Sequence, residues 1–158
     1  MALKKQLVMG TDGLPQQLQA GDTVAGGTDT GQVGGQVAAV ALLAGNAVFT
    51  SGADAINKAQ ANSIGTKDTL GLATTAIAAT AAGIVQCNGV VVLTTAQWDA
   101  VAGTTGGLVF NTRYFLSPTT AGLLTATVPT TVGQYVAYVG RGLSTTEMLV
   151  EPAVPILL

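Results

Sequence analysis

The last third of the chain, residues 111–158, consists of short apolar runs separated by residues that form turns. The runs RYFL, QYVAYV and EMLV carry most of its large apolar side chains. The segments SPTTAG and VPTTVG stand between the first two runs, and their Pro, Gly, Ser and Thr residues favour turns. This spacing predicts compact antiparallel β structure with no evident place for catalytic chemistry.

The composition predicts one domain with an appended arm. The chain has 158 residues, of which 48% are hydrophobic and only 9% are charged. A typical soluble domain carries about 25% charged residues. A surface with so little charge makes a weakly soluble monomer, so we expect much of it to be covered by partners or by copies of the chain. We predict an extended N-terminal arm over residues 1–35 and a β-domain over residues 36–158.

The predicted arm differs from the rest of the chain in its density of turn signals. Asp12-Gly13, Gly21-Asp22 and Gly26-Gly27 are typical of turns, and the segment has too few large apolar residues to form a core. Its leucines suit an arm that becomes ordered on another surface. The alternative is a partly disordered terminus.

The middle of the chain predicts further short strands. Residues 36–50 fit two strands around Gly45-Asn46, although their Ala and Leu content also suits a helix. Residues 70–86 fit a strand and a loop, and the alternative is a helix over residues 74–82. The run GVVVLTT, residues 89–95, is the clearest strand, and its unbroken apolar character predicts burial on both faces. These elements predict an all-β fold, a small barrel or sandwich of short antiparallel strands.

One short helix is expected near residues 96–101. Thr94 and Gln97 have the spacing of a capping box, and Gly103 stands where a helix would end. Trp98 then faces the core or a subunit interface, with a ligand platform as the alternative.

The residues that usually carry catalysis are absent or isolated. The chain has no His, so Ser-His and Cys-His pairs are impossible, and it has no phosphate-binding loop. Cys87 stands alone and fits a small buried side chain. Asp22 and Asp29 fit turns, and a strand would hold Glu147 and Glu151 roughly 13 Å apart. We therefore predict no enzyme, no cofactor and no metal.

The distribution of charged and polar residues predicts which kinds of partner the chain can bind. The formal net charge is −2 and the pI is about 4.7, with no basic cluster, so we expect no direct binding of nucleic acid. Polar residues interrupt both long uncharged stretches, residues 30–53 and 69–98, so we expect no membrane span. The only arginines, Arg113 and Arg141, flank strand-like segments. Each can pair with a carboxylate on a neighbouring chain or serve as a solubilising loop charge.

The C-terminal region supplies candidate interface residues. In QYVAYVGRG both faces of a strand carry apolar groups, so one face can pack on the core and the other on a neighbouring chain. Pro152 and Pro155 hold the apolar tail to an edge or an extended path, and we expect it to dock in the subunit core or between subunits. The candidate subunit-interface residues are Tyr135, Tyr138, Ile156 and Leu157.

The order of these segments resembles a known viral module. YFLSPTTAG, then VPTTVGQYVAYVG, then LSTTEMLVEP is similar to the small β-domain of tailed-bacteriophage capsid decoration (cement) proteins, and related modules occur in phage fibres. The resemblance implies a homotrimer that binds the major capsid protein on the outer surface of the head, between capsomers, and stabilises the shell. It also implies a location in the virion, and in the host cytoplasm during assembly.

The resemblance gives the arm a role as a clamp on the shell. The candidate capsid-contact residues are Leu3, Lys4, Lys5 and Leu7. The alternative is a fibre or receptor-binding component, which shares the trimeric β character but is usually longer. A third hypothesis is a small enzyme or carbohydrate-binding module. The chain has few aromatic side chains on which a sugar could stack, which counts against it.

Overall fold

A computed structural model describes residues 7–9, 15–17 and 30–158. The first two strands, β1 (Leu7–Met9) and β2 (Pro15–Gln17), pair antiparallel with Leu7 opposite Gln17. The remainder of the predicted arm before residue 30 lies outside the described residues. The predicted division between residues 35 and 36 falls inside the third strand, which starts at Gln32.

Five strands then close into a small barrel. They are β3 (Gln32–Ala38), β4 (Ala47–Gly52), β5 (Ala55–Lys58), β6 (Gly71–Ala73) and β7 (Ala82–Gln86). Their order around the barrel is β3-β5-β4-β6-β7, and β7 pairs back onto β3. All of these pairs are antiparallel except β3 with β5, which is parallel. A Cβ atom at Gly71 would overlap the carbonyl oxygen of Gln86, so the β6–β7 seam depends on glycine.

The second half of the chain forms an antiparallel sheet with one helix. The elements are β8 (Gly89–Val92), α1 (Thr95–Ala102), β9 (Arg113–Leu116), β10 (Leu124–Thr125), β11 (Tyr135–Val136), β12 (Tyr138–Gly142), β13 (Glu147–Val150) and β14 (Ile156–Leu157). Five of the strands make one sheet in the order β10-β9-β12-β13-β8, and β11 pairs separately with β14.

The main core lies between this sheet, α1 and one flank of the barrel. Trp98 and Tyr114 are its largest fully buried side chains. The barrel contributes small side chains to it, among them Ala47 and Ala59. Gly122, in the turn before β10, accepts from the Ala47 N–H at 2.9 Å and donates to the Ala59 carbonyl at 2.7 Å, so backbone bonds also join the two halves. A second, smaller core fills the barrel itself.

Local signals place the helix where the sequence predicted it. The Thr94 side chain accepts from the Gln97 N–H at 3.2 Å, and the Gln97 side chain accepts from the Thr94 N–H at 2.9 Å, which completes the capping box. Gly103 ends the helix in the left-handed conformation with φ 64°. The predicted burial of Trp98 in the core is also confirmed.

The structure confirms the predicted fold class, an all-β barrel or sandwich with one short helix. The strand-and-loop interpretation of residues 70–86 is confirmed by β6 and β7, and the alternative helix over residues 74–82 is wrong. Of the two strands expected around Gly45-Asn46, the second is confirmed by β4, but the first covers only residues 36–38, at the end of β3. Residues 39–46 carry a single bridge, between Leu42 and Ile77.

The expectation that GVVV is buried on both faces is wrong as well. Only Val91 is buried, while Val90 and Val92 are exposed. The physical reason is position, because β8 lies at the edge of its sheet and only one face of that sheet meets the core.

A carboxylate organises the loop after the helix. Asp99 accepts hydrogen bonds from the Thr104 hydroxyl at 2.8 Å, the Gly106 N–H at 2.9 Å and the Gly107 N–H at 2.8 Å. The bond from Gly107 is the main cause of a pKa for Asp99 below its usual range. The ionised side chain therefore stabilises the folded loop.

We expect acid to weaken this contribution in a direction that can be measured. Because the folded-state pKa of Asp99 is depressed, its stabilisation is present above the ordinary value of 3.8 and is lost as the pH falls through the folded-state pKa. Urea unfolding measures the free energy of unfolding of the wild type and of Asp99→Asn at a series of pH values. The difference between the two proteins should shrink as the pH is lowered. A difference that stays constant with pH would contradict the assignment.

Candidate functional site

The structure brings three of the four candidate interface residues together at the C-terminus. β11 and β14 pair with Tyr135 opposite Leu157 and Val136 opposite Ile156. Bonds from the Gly133 N–H to the Leu158 carbonyl and from the Leu158 N–H to the Gln134 carbonyl, both 3.0 Å, extend the pairing. We call residues 131–136 and 153–158 the C-terminal ribbon. Tyr138, the fourth candidate, lies on β12 in the five-stranded sheet instead.

The C-terminal ribbon presents apolar side chains to solvent. Val154 is 88% exposed, Ile156 65% and Leu157 59%. Tyr135 is half-buried, packs against the main core, and has the Lys67 ammonium 5.6 Å from its ring centre. The tail is thus anchored by backbone pairing but does not enter the core of its own subunit.

Three of the four candidate capsid-contact residues, Leu3, Lys4 and Lys5, lie outside the described residues. Leu7 opens β1, where its backbone pairs with Gln17. The proposed clamp therefore stays a prediction from the sequence.

The five-stranded sheet has a second surface, the face turned away from the core. Strand register aligns Val90, Leu149, Arg141 and Arg113 in one row across four strands. Glu147 lies on the same face opposite Val92 on β8. We call this surface the outer sheet face. It has an apolar and acidic end at β8 and β13 and a basic end at β12 and β9.

A cavity of about 190 Å³ opens at the basic end. Its lining residues are Arg113, Phe115, Tyr138, Arg141 and Glu151, and we call it the arginine pocket. The Tyr138 hydroxyl donates to Glu151 Oε1 at 2.6 Å, and Arg141 Nη2 lies 3.8 Å from the same oxygen. The rings of Phe115 and Tyr138 meet edge to face, with centroids 6.0 Å apart. These contacts hold the pocket walls in place.

Electrostatics in the arginine pocket act on Tyr138. Burial raises the pKa of its hydroxyl above the usual 10.0, and the hydrogen bond to Glu151 raises it further. Arg141 acts in the opposite direction but is outweighed. Tyr138 therefore stays a neutral hydrogen-bond donor at neutral pH.

A larger cleft of about 540 Å³ lies beside the end of α1, between the turn at residues 117–120 and the loop at residues 127–131. Threonine hydroxyls, prolines and small apolar side chains line it, with Gln134 at one side. None of the described side chains that line it is ionisable, so these side chains offer hydrogen bonds and shape but no acid or base.

The remaining reactive groups are isolated. Cys87 is half-buried, and burial raises the pKa of its thiol, which keeps it protonated and weakly nucleophilic. Among the described residues no three Cys, Asp or Glu side chains form a cluster that could hold a metal ion. Within the same part of the chain, no helix has the length and apolar character needed to cross a membrane.

Sequence reasoning did not identify the outer sheet face as a surface. The two arginines were recognised as the only ones in the chain, but their pairing depends on the register between β9 and β12, which are far apart in sequence. The three consecutive valines at residues 90–92 show no polar–apolar alternation, so this segment gave no signal that one face of its strand is exposed.

Removing the charge of Glu151 should lower the pKa of Tyr138. In Glu151→Gln the neighbouring negative charge is gone, so the tyrosinate forms at lower pH than in the wild type. Difference absorbance of tyrosinate, with Tyr138→Phe used to assign the signal, measures this shift. An unchanged titration would show that Glu151 does not interact with the hydroxyl in solution.

The described residues present three surfaces that differ in chemistry. The C-terminal ribbon offers exposed apolar side chains, the arginine pocket offers charge, and the threonine-lined cleft offers neutral hydrogen bonds. No family model, curated protein or solved structure matches this chain.

Proposed function

We propose that this chain is a viral structural protein, a decoration protein that binds the outer surface of a tailed-bacteriophage head and stabilises the shell. The observation that carries the proposal is the C-terminal ribbon. Its side chains at Val132, Val154, Ile156 and Leu157 are exposed although they are strongly apolar. Apolar surface of this kind, held in place by strand pairing, is typical of protein–protein contact sites.

The low charge of the chain supports the same proposal. With 9% charged residues, the subunit has little to keep it soluble alone at high concentration. A protein that functions while bound between other subunits needs less surface charge. The similarity of residues 111–158 to decoration modules supplies the particular assembly, with the major capsid protein as partner and a homotrimer as the bound form.

The role follows from how several weak contacts combine. An oligomer that touches neighbouring capsomers through each subunit gains avidity, because the second contact forms at high effective concentration once the first is made. The shell then resists separation of its capsomers. No bond has to be made or broken for this function.

Co-sedimentation of the purified protein with separated phage heads and tails tests the proposal. Saturable binding to heads, with the bound heads surviving more heat, is the expected result. Binding to tails alone would support the fibre alternative, and binding to neither would overturn both.

Placing a charge on the C-terminal ribbon should weaken head binding. Fully burying a leucine side chain contributes roughly 1.5–3 kcal/mol, and about 1.4 kcal/mol corresponds to a factor of ten in affinity. We therefore expect Leu157→Asp to raise the dissociation constant for heads at least about tenfold. Leu43→Asp is the matched control, since Leu43 is 51% exposed and lies in the loop before β4. Equal effects of the two substitutions would remove the ribbon from the interface.

Deletion of residues 1–25 tests the clamp separately. If the lysines and leucines of this segment contact the shell, the shortened chain should bind heads more weakly while its circular dichroism spectrum keeps the β signature. The same experiment at two salt concentrations separates the lysine contribution, which salt screens, from the apolar one. Unchanged affinity for heads would show that the arm is not a clamp.

A further inference from the structure

The arginine pocket contains an uncompensated charge. Arg113 on β9 stands directly opposite Arg141 on β12, and like charges in this arrangement destabilise a sheet. Among the residues that the structure describes, Glu151 is the only carboxylate that lines the pocket. Two arginines and one glutamate leave one positive charge without a counter-charge.

The hydrogen bonds of the two guanidinium groups are also incomplete. Glu151 is shared between Tyr138 and Arg141, and Arg113 forms no ion pair with any residue that the structure describes. The Nε atom of Arg141 is buried and has no hydrogen-bond partner in the described part of the chain. A buried donor without a partner is costly, and a carboxylate is the group that best satisfies an arginine fork.

The surroundings of the pocket favour a protein carboxylate over a free anion or a nucleic acid. Val90, Val92 and Leu149 place apolar side chains on the same face as the two arginines. A phosphate backbone gains nothing from these side chains, and a chain with a net charge of −2 does not attract a polyanion. A carboxylate that arrives together with apolar surface matches the whole outer sheet face.

Few of the chain's own described carboxylates are free to fill that role. Asp68 pairs with Lys67 at 2.6 Å, Asp99 holds the loop after α1, and Glu151 is already in the pocket. Asp54 lies in the turn between β4 and β5, on the barrel. Glu147 lies on the outer sheet face beside Val92 and forms no ion pair within the described residues.

We propose that Glu147 of a second copy of this chain completes the arginine pocket, so that the basic end of one outer sheet face binds the acidic end of another. Exposed Val90 and Val92 then pack against the neighbouring copy around the ion pair. The arrangement works in a two-fold pair, where each copy gives and receives a carboxylate, and in a ring, where it gives to one neighbour and receives from the next. The contact is between copies and stands whether or not the chain binds a capsid.

Charge reversal tests the contact on the full-length protein. Arg113→Glu and Glu147→Arg each place like charges together across the interface. Each should therefore raise the dissociation constant of the self-associated form at least about tenfold, as measured by sedimentation equilibrium. The double variant carries the wild-type net charge and restores an opposite pair, so it should associate nearly as the wild type does. Asp68→Arg, which makes the same change of charge as Glu147→Arg but on the barrel side, should leave association unchanged.

Three outcomes would overturn the proposal. They are a wild type that stays monomeric at concentrations where heads are saturated, single variants that associate normally, and a double variant that stays as weak as the singles. Both substituted side chains are at least partly exposed, and circular dichroism verifies that each variant is folded. If Arg113→Glu loses head binding but self-associates normally, the pocket takes a shell carboxylate, and the second-copy proposal is wrong while the decoration function stands.

Discussion

The packing of Trp98 is the interaction on which both halves of the fold depend. Its ring is fully buried, and its indole N–H donates to the Thr146 carbonyl at 2.9 Å, which ties α1 to the turn before β13. On the opposite side the chain approaches through Gly45, where an added Cβ atom would crowd the side chains of Val101 and Leu93 and touch the tryptophan ring. Only a glycine, with φ 86°, fits that place. The close approach of this segment to α1 therefore depends on glycine at position 45 as well as on the buried Trp98 ring.

The composition explains why the fold has two modest cores and not one large core. Aromatic residues make up 4% of the chain, so Ala, Val, Leu and Ile must fill the interior. The barrel encloses side chains no larger than Leu and Ile, among them Ile56, Ile77 and Val85. Small side chains let neighbouring backbone segments approach closely. The polar groups that become buried in this way need hydrogen-bond partners nearby. Asn46 shows how this is met, since its amide donates to the Gly122 carbonyl at 3.1 Å and its oxygen accepts from the Leu43 N–H at 2.9 Å.

Features encoded within a few residues could be predicted from the sequence, and features that depend on register could not. The capping box at Thr94 and the left-handed Gly103 are local, and the helix between them was predicted to within one residue at each end. The predicted burial of Val90 and Val92 was wrong, because a run of valines does not reveal which strand lies at a sheet edge. Arg113 and Arg141 lie opposite each other because β9 and β12 pair across a separation of 28 positions. The register of this pairing also shifts at a bulge between Tyr138 and Gly140. No pattern in either segment alone contains that information.

Closure of the barrel has a consequence for how a further chain can add to this fold. Every barrel strand has neighbours on both sides, so the backbone of β3 to β7 is not available for strand addition. Within residues 7–9, 15–17 and 30–158, the five-stranded sheet has open edges at β10, which has two residues, and at β8, which has four. β8 carries no charged side chain to discourage pairing. Strand exchange, fibril growth or templated misassembly would therefore start at residues 89–92, and a neighbouring subunit seated there would also protect the protein from aggregation.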